Sequence, residues 1–130
     1  MNAPHAFLNW RWEEEEDEEK YKLSYVPDSK RPNGGTFILR KEDHTMGNLL
    51  RLQLLRDGAV RFSGYRCPHP LMFECHIRVE TMDSKITPVH VFNAALEDLS
   101  SETDRISKEF DRACRDFEAE RDMRGDYGDM

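Results

Sequence analysis

The clearest pattern in the chain lies over residues 73–80, where Phe73, Cys75, Ile77 and Val79 interleave with Glu74, His76, Arg78 and Glu80. A period of two sends the two sets to opposite sides of a pleated strand, so this segment predicts a strand with one buried and one wet face. Shorter runs upstream carry the same signature. Tyr21, Leu23 and Tyr25 alternate with Lys20, Lys22 and Ser24, and Thr36-Phe37-Ile38-Leu39-Arg40 is apolar and β-branched. The turn formers between them, Pro27-Asp28-Ser29-Lys30 and Pro32-Asn33-Gly34-Gly35, predict that the two strands pair antiparallel. Val60, Phe62 and Gly64 alternate with Arg61 and Ser63, predicting one more strand. It should end before Cys67-Pro68-His69-Pro70, whose prolines cannot donate to a ladder.

Elsewhere the period lengthens. Met46, Leu49, Leu50 and Leu54 fall at helical spacing behind Glu42 and Asp43, acids suited to a helix N-terminus, so a helix is predicted near residues 44–56. Leu52 and Leu55 lie off that stripe, and the apolar arc then exceeds half the circumference, more than one sheet can bury. A second helix should start at Pro88, with Thr87 as its N-cap. Along it Val89, Phe92, Leu96, Leu99, Thr103, Ile106, Phe110, Ala113 and Phe117 recur at alternating steps of three and four, a heptad seam broken only by Thr103. Gly125 is expected to end this helix, leaving residues 125–130 as a frayed tail. The fold class is therefore α+β: a four-stranded, mainly antiparallel sheet with a short helix and a long C-terminal helix.

These lengths do not match. A helix from Pro88 to about residue 123 would run roughly 50 Å, whereas the first helix reaches about 20 Å, and strands in such a sheet are about 17–20 Å long. The seam outruns its own cover at Ile106, Phe110, Ala113 and Phe117. Each large side chain left in water forgoes about 1.5–3 kcal/mol. A second chain offering its own helix is the economical solution, so an obligate dimer is expected. The alternative is a solitary helix curling back on its own sheet, which a strict 3-4 pattern suits less well.

Composition narrows the picture. The 130 residues allow one domain with a modest core, placed here over residues 20–124. Residues 1–19 form an extension in which Phe7, Leu8, Trp10 and Trp12 could anchor on another surface. The net charge of -7 comes from the seven consecutive acids of residues 13–19; removing them from the 26 acids leaves 19, equal to the 19 Lys plus Arg. The body is formally neutral with its cations dispersed, so direct nucleic-acid contact is not expected. The acidic run reads either as a solvated, self-repelling segment or as a docking strip for a basic surface. No apolar run approaches membrane-spanning length, and the first eight residues carry no basic stretch leading into an apolar one, which points to nucleus or cytosol. Three cysteines, Cys67, Cys75 and Cys114, are then expected as reduced thiols.

Candidate chemistry is thin. Glu42, Asp43 and His44 could serve as an acid-base cluster, but no nucleophile or phosphate-gripping loop accompanies them, and a capped helix start accounts for them. Cys67, His69, Cys75 and His76 lack the spacing of common zinc sites, and Cys75 and His76 point to opposite faces of one strand. Gly34-Gly35 falls far short of a nucleotide-binding fingerprint. No catalytic residue, metal or cofactor is expected.

Two longer motifs say more. Lys41-Glu42-Asp43-His44-Thr45-Met46-Gly47-Asn48-Leu49-Leu50 resembles the E-D-H-T-L-G-N motif of the small alpha-like assembly subunits of nuclear RNA polymerases. Phe62-Ser63-Gly64-Tyr65-Arg66-Cys67-Pro68-His69-Pro70-Leu71 is similar to their F-x-G-Y-x-x-P-H-P-L segment. The likeness covers about residues 20–117, and Met1-Asn2-Ala3-Pro4, Lys41-Glu42-Asp43 and residues 94–99 favour the polymerase II branch over the one shared by polymerases I and III. Met46 in place of the commoner leucine, Arg61 at a usually apolar position and the acidic run depart from the pattern. The resemblance implies an alpha-like dimerisation domain that pairs with the larger alpha-like subunit, the third subunit of polymerase II, and docks the second-largest subunit. It assigns no chemistry to this chain. On that reading Met46, Gly47, Leu49, Leu50, Leu54, Phe92, Leu96, Leu99, Ile106, Phe110, Ala113 and Phe117 build the interface, with Gly47 allowing close helix approach. Among the motif residues His44, Thr45, Gly47, Asn48, Gly64, Tyr65, Pro68, His69 and Pro70, the last three shape a loop near the sheet's edge. Two other classes stay open: a homodimeric scaffold unrelated to transcription, and a thiol or zinc enzyme whose turnover would depend on Cys67 or Cys75.

Overall fold

The computed structural model describes residues 21–128, with side chains to residue 125; the N-terminal aromatic cluster and the acidic run lie outside the described residues. Two compact units divide between Ala95 and Leu96. In the first, the strands β1 (Leu23–Pro27), β2 (Gly34–Arg40), β3 (Val60–Arg66) and β4 (Glu74–Thr81) form one sheet in the order β1-β2-β4-β3. Every pairing is antiparallel. Helix α1 (His44–Leu55) links β2 to β3, and α2 (Pro88–Gly128) begins in the first unit and supplies all the described residues of the second.

The turn between β1 and β2 closes as its residues dictate. Asp28 Oδ1 accepts from the Lys30 N–H at 2.9 Å, a side-chain imitation of a backbone turn. Pro27 ends β1, an edge strand where a missing donor costs nothing. At the end of β2, Lys41 adopts a φ of 63°, which turns the strand into α1. Asp43 then caps α1, its side chain accepting from the Thr45 N–H at 3.0 Å. Thr87 does the same for α2, receiving the His90 N–H at 3.2 Å. Thr81 is fully buried, yet its hydroxyl donates to the Ile86 carbonyl at 2.6 Å and so fixes the turn that leads into α2.

The core lies on one face of the sheet. Phe37, Leu39, Cys75, Ile77 and Val79 meet Leu50 and Leu54 of α1 and Val91, Phe92 and Ala95 of α2. Phe92 stacks on Phe37 with centroids 3.9 Å apart, and Tyr25 tilts against Phe37 at 4.7 Å. The other face stays wet and carries a charge ladder. Arg78 pairs with both Asp28 and Glu80, Arg31 reaches Glu80 at 3.2 Å, and His76 sits 3.2 Å from Glu74.

Two expectations need correction. Val60 and Phe62 do not share a face, because the β3–β4 register slips between them: Val60 pairs with Thr81 and Phe62 with Glu80. The extra residue in β3 is a bulge, which returns Val60 and Ser63 to the core and leaves Phe62 47% exposed on the outer face. Nor does Gly125 end α2. The helix runs through it to Gly128, and Gly125 takes no positive φ. A glycine stops a helix by adopting the left-handed conformation, and without that it only weakens the turn.

Candidate partner interface

Helix α1 carries two apolar stripes, and the sheet takes one. Gly47, Leu50 and Leu54 face inward, with both leucines at 0% exposure. Gly47 sits at the tightest point: a Cβ built there would lie 2.6 Å from Cys75 Sγ and 2.6 Å from Tyr65 Cδ2, so only glycine lets α1 settle on the sheet. The close approach expected of Gly47 is therefore to its own β3 and β4. Leu50, Leu54 and Phe92, assigned by sequence to a partner, are likewise spent in the chain's own core. Met46 is half-buried.

The second stripe is uncovered. Leu49, Leu52 and Leu55 recur every three residues and remain nearly half exposed. The sequence pattern puts Leu49 on the interface and marks Leu52 and Leu55 as surplus apolar surface. The signal that could have separated the stripes was Gly47, since the smallest residue of an apolar helix marks the face that comes closest to its neighbour.

In the second unit the seam is bare. Ile106, Phe110 and Phe117 are 62%, 69% and 66% exposed, Ala113 is exposed, Leu96 is partly exposed and Leu99 is half-buried. Thr103 interrupts the seam less than its polarity suggests, because its hydroxyl donates to the Leu99 carbonyl at 2.7 Å and needs nothing from outside. Beside the seam, Arg105–Glu109 and Asp104–Lys108 pair one turn apart, worth a few tenths of a kcal/mol each.

The motif residues form a structural knot. His44 Nδ1 and the Tyr65 hydroxyl lie 3.1 Å apart with their rings edge to face, joining the start of α1 to β3 across 21 residues of sequence. Tyr65 in turn packs beside Gly47. Asn48 accepts from Arg51 at 2.7 Å, the Phe62 ring lies over Gly64, and Thr45 supplies the N–H that Asp43 caps. Pro68, His69 and Pro70 fall in the connection from β3, the edge strand opposite β1, to β4. The acid-base candidates are occupied structurally: Asp43 caps a helix and His44 holds Tyr65.

Comparison with known proteins fits this arrangement. Residues 35–109 match the model of the RNA polymerase Rpb3/Rpb11 dimerisation domain. A probable DNA-directed RNA polymerase II subunit RPB11 of Caenorhabditis elegans is 37% identical over 115 residues, covering 88% of this chain and 89% of that protein. The Dictyostelium discoideum subunit rpb11 of the same polymerase is 40% identical over 89 residues, covering 68% of this chain and 73% of that protein. The crystal structure of DNA-directed RNA polymerase subunit L from Thermoplasma acidophilum superposes with a TM-score of 0.62, covering 76% of this chain and 96% of that one. At 22% identity that last likeness bears on the fold alone. With the dimerisation-domain model spanning residues 35–109 and the nematode relative matched over 88% of the chain, the protein belongs to the RNA polymerase Rpb3/Rpb11 dimerisation-domain family.

Proposed function

We propose that the chain is a non-catalytic subunit of DNA-directed RNA polymerase II that forms a heterodimer with the larger alpha-like subunit and serves with it as an assembly platform in mRNA transcription. The observation that carries this reading is the bare seam of Ile106, Phe110 and Phe117, together with the outer leucines of α1. At about two-thirds exposure each, covering the three seam residues is worth about 3–6 kcal/mol in total, a substantial contribution to association to which the outer leucines of α1 would add. The partner of choice is the third subunit of polymerase II, and the pair would dock the second-largest subunit. The nucleus is the corresponding location.

Support for the polymerase II branch comes from the relatives, which carry that designation in their names. Support for a role without catalysis comes from three of the polar candidates, which are engaged in holding the fold: Asp43 as a cap, His44 on Tyr65, His76 on Glu74. Mass spectrometry of proteins purified with the tagged chain tests the whole reading. The third and second-largest subunits of polymerase II should dominate. Recovery of polymerase I and III large subunits would move the chain to the other branch, and self-association with no polymerase subunit would make it an unrelated scaffold.

A further inference from the structure

Two of the three cysteines lie together, and nothing in the assembly role uses them. The β3–β4 ladder pairs Arg66 with His76, so the next residues along, Cys67 and Cys75, stand opposite each other one step beyond the last pair. Cys75 is on the core face with Ile77 and Val79, and Cys67, two residues from the core-facing Tyr65, falls on the same side. Cys67 is also near enough to Cys75 to be among the groups that raise its thiol pKa. Residues directly opposite in an antiparallel pair have Cα atoms about 4.5–5.5 Å apart, inside the roughly 4.4–6.8 Å that a disulfide spans. Both are free thiols here.

We propose that Cys67 and Cys75 are a peroxide-responsive thiol pair that closes to a reversible disulfide beneath the interface helix α1. Accessibility sets their roles. Cys67 is half-buried and can meet a small oxidant, whereas Cys75 has no exposed surface. Burial, the neighbouring Cys67 and the acids Glu42 and Asp43 push the Cys75 thiol up to about 12, so it stays protonated and is not the group that meets peroxide. In the first step the Cys67 sulfur attacks one oxygen of hydrogen peroxide, the O–O bond breaks, and the departing hydroxide takes the thiol proton as water, leaving a sulfenic acid. In the second, the Cys75 sulfur attacks the Cys67 sulfur, the S–O bond breaks, and hydroxide leaves with the Cys75 proton as a second water. Two thiols lose two electrons and two protons, and the peroxide is reduced to two waters.

The bond would close the connection of residues 68–74, which includes Pro68, His69 and Pro70, onto β4. Cys75 Sγ is also the atom beneath Gly47, so the modification lies against the contact that seats α1 on the sheet. Cys114, exposed on α2, is the built-in control for simple reactivity.

The experiment treats the full chain with hydrogen peroxide at neutral pH, blocks remaining thiols with N-ethylmaleimide in denaturant, and digests with trypsin without reductant. Cleavage after Arg66 and Arg78 releases both cysteines in one peptide, residues 67–78. The expected product is that peptide unlabelled and lighter by two hydrogens, regaining two labels after dithiothreitol. Cys67→Ser, at a half-buried position that leaves the core intact, should abolish it. Cys75→Ala should leave Cys67 as a sulfenic acid that dimedone captures. The proposal is overturned if the peptide carries two maleimides while Cys114 has been oxidised, or if Cys67 proceeds to sulfinic acid with Cys75 still labelled.

Discussion

Adding one methyl group at Gly47 tests how α1 is seated. The new Cβ in Gly47→Ala would stand 2.6 Å from Cys75 Sγ and Tyr65 Cδ2 and 3.0 Å from Tyr65 Cε2, where ordinary contact begins at 3.4 Å. Neither neighbour can swing away. Cys75 is wholly buried on β4, and Tyr65 is tethered through its hydroxyl to His44. Overpacking of this kind costs about 1–3 kcal/mol, whereas exchanging a helical glycine for alanine gains about 1 kcal/mol. The net expectation is a loss of about 1 kcal/mol, which lowers the melting temperature of a domain this size by about 4–8 °C. Gly125→Ala isolates the propensity alone, since beyond its own helix backbone and adjoining residues nothing described lies within 4 Å of its would-be Cβ, and it should stabilise. The assay is thermal unfolding of each variant bound to its partner at one fixed concentration, because melting of a dimer depends on concentration. Combining Gly47→Ala with Cys75→Ala should cost less than the two changes summed, since the second removes one of the clashing atoms. A Gly47→Ala protein that melts above wild type would refute this packing.

Three further changes probe other parts. Phe110→Ala with Phe117→Ala leaves the chain's own core untouched, and should weaken partner binding by about 2–4 kcal/mol, on the order of 30-fold to several hundredfold, in a competition pull-down; unchanged affinity would remove the seam from the interface. The Arg78 guanidinium, helped by the Lys30 backbone N–H, holds the Asp28 carboxyl below its ordinary range. Its stabilising effect is therefore present at neutral pH and lost as pH falls through the folded value, below about 4, so Asp28→Asn should flatten the acid limb of a stability profile and leave its alkaline limb alone. Ser63 is buried with no partner for its hydroxyl among the described residues, so Ser63→Ala should hold or raise the melting temperature, and a drop of several degrees would reveal a hydrogen bond absent from this account.

Much of the fold could be read from local periodicity. β4 alternates cleanly because one face packs on helices and the other meets water, and the α2 seam is a heptad because nothing in its own unit interrupts it. What escaped was set by tertiary contacts. Val60, Arg61 and Phe62 look like ordinary alternation, and only pairing against β4 reveals that Arg61 is the extra residue. The two stripes of α1 are equally apolar, so the pattern alone did not say which one the sheet would bury. The result exchanged Leu50 and Leu54 for Leu52 and Leu55 at the exposed surface. Residues His44 and Tyr65 were recognised as parts of separate motifs, while their mutual hydrogen bond belongs to the folded state alone.

Size-exclusion chromatography with light scattering, on the chain expressed alone and with the larger alpha-like subunit, addresses the exposed seam most directly. The seam of Ile106, Phe110 and Phe117 predicts a one-to-one heterodimer when the two are made together, and aggregated or self-associated material when this chain is made alone. A soluble, monodisperse monomer at micromolar concentration, with no mass gained on adding the larger subunit, would contradict it.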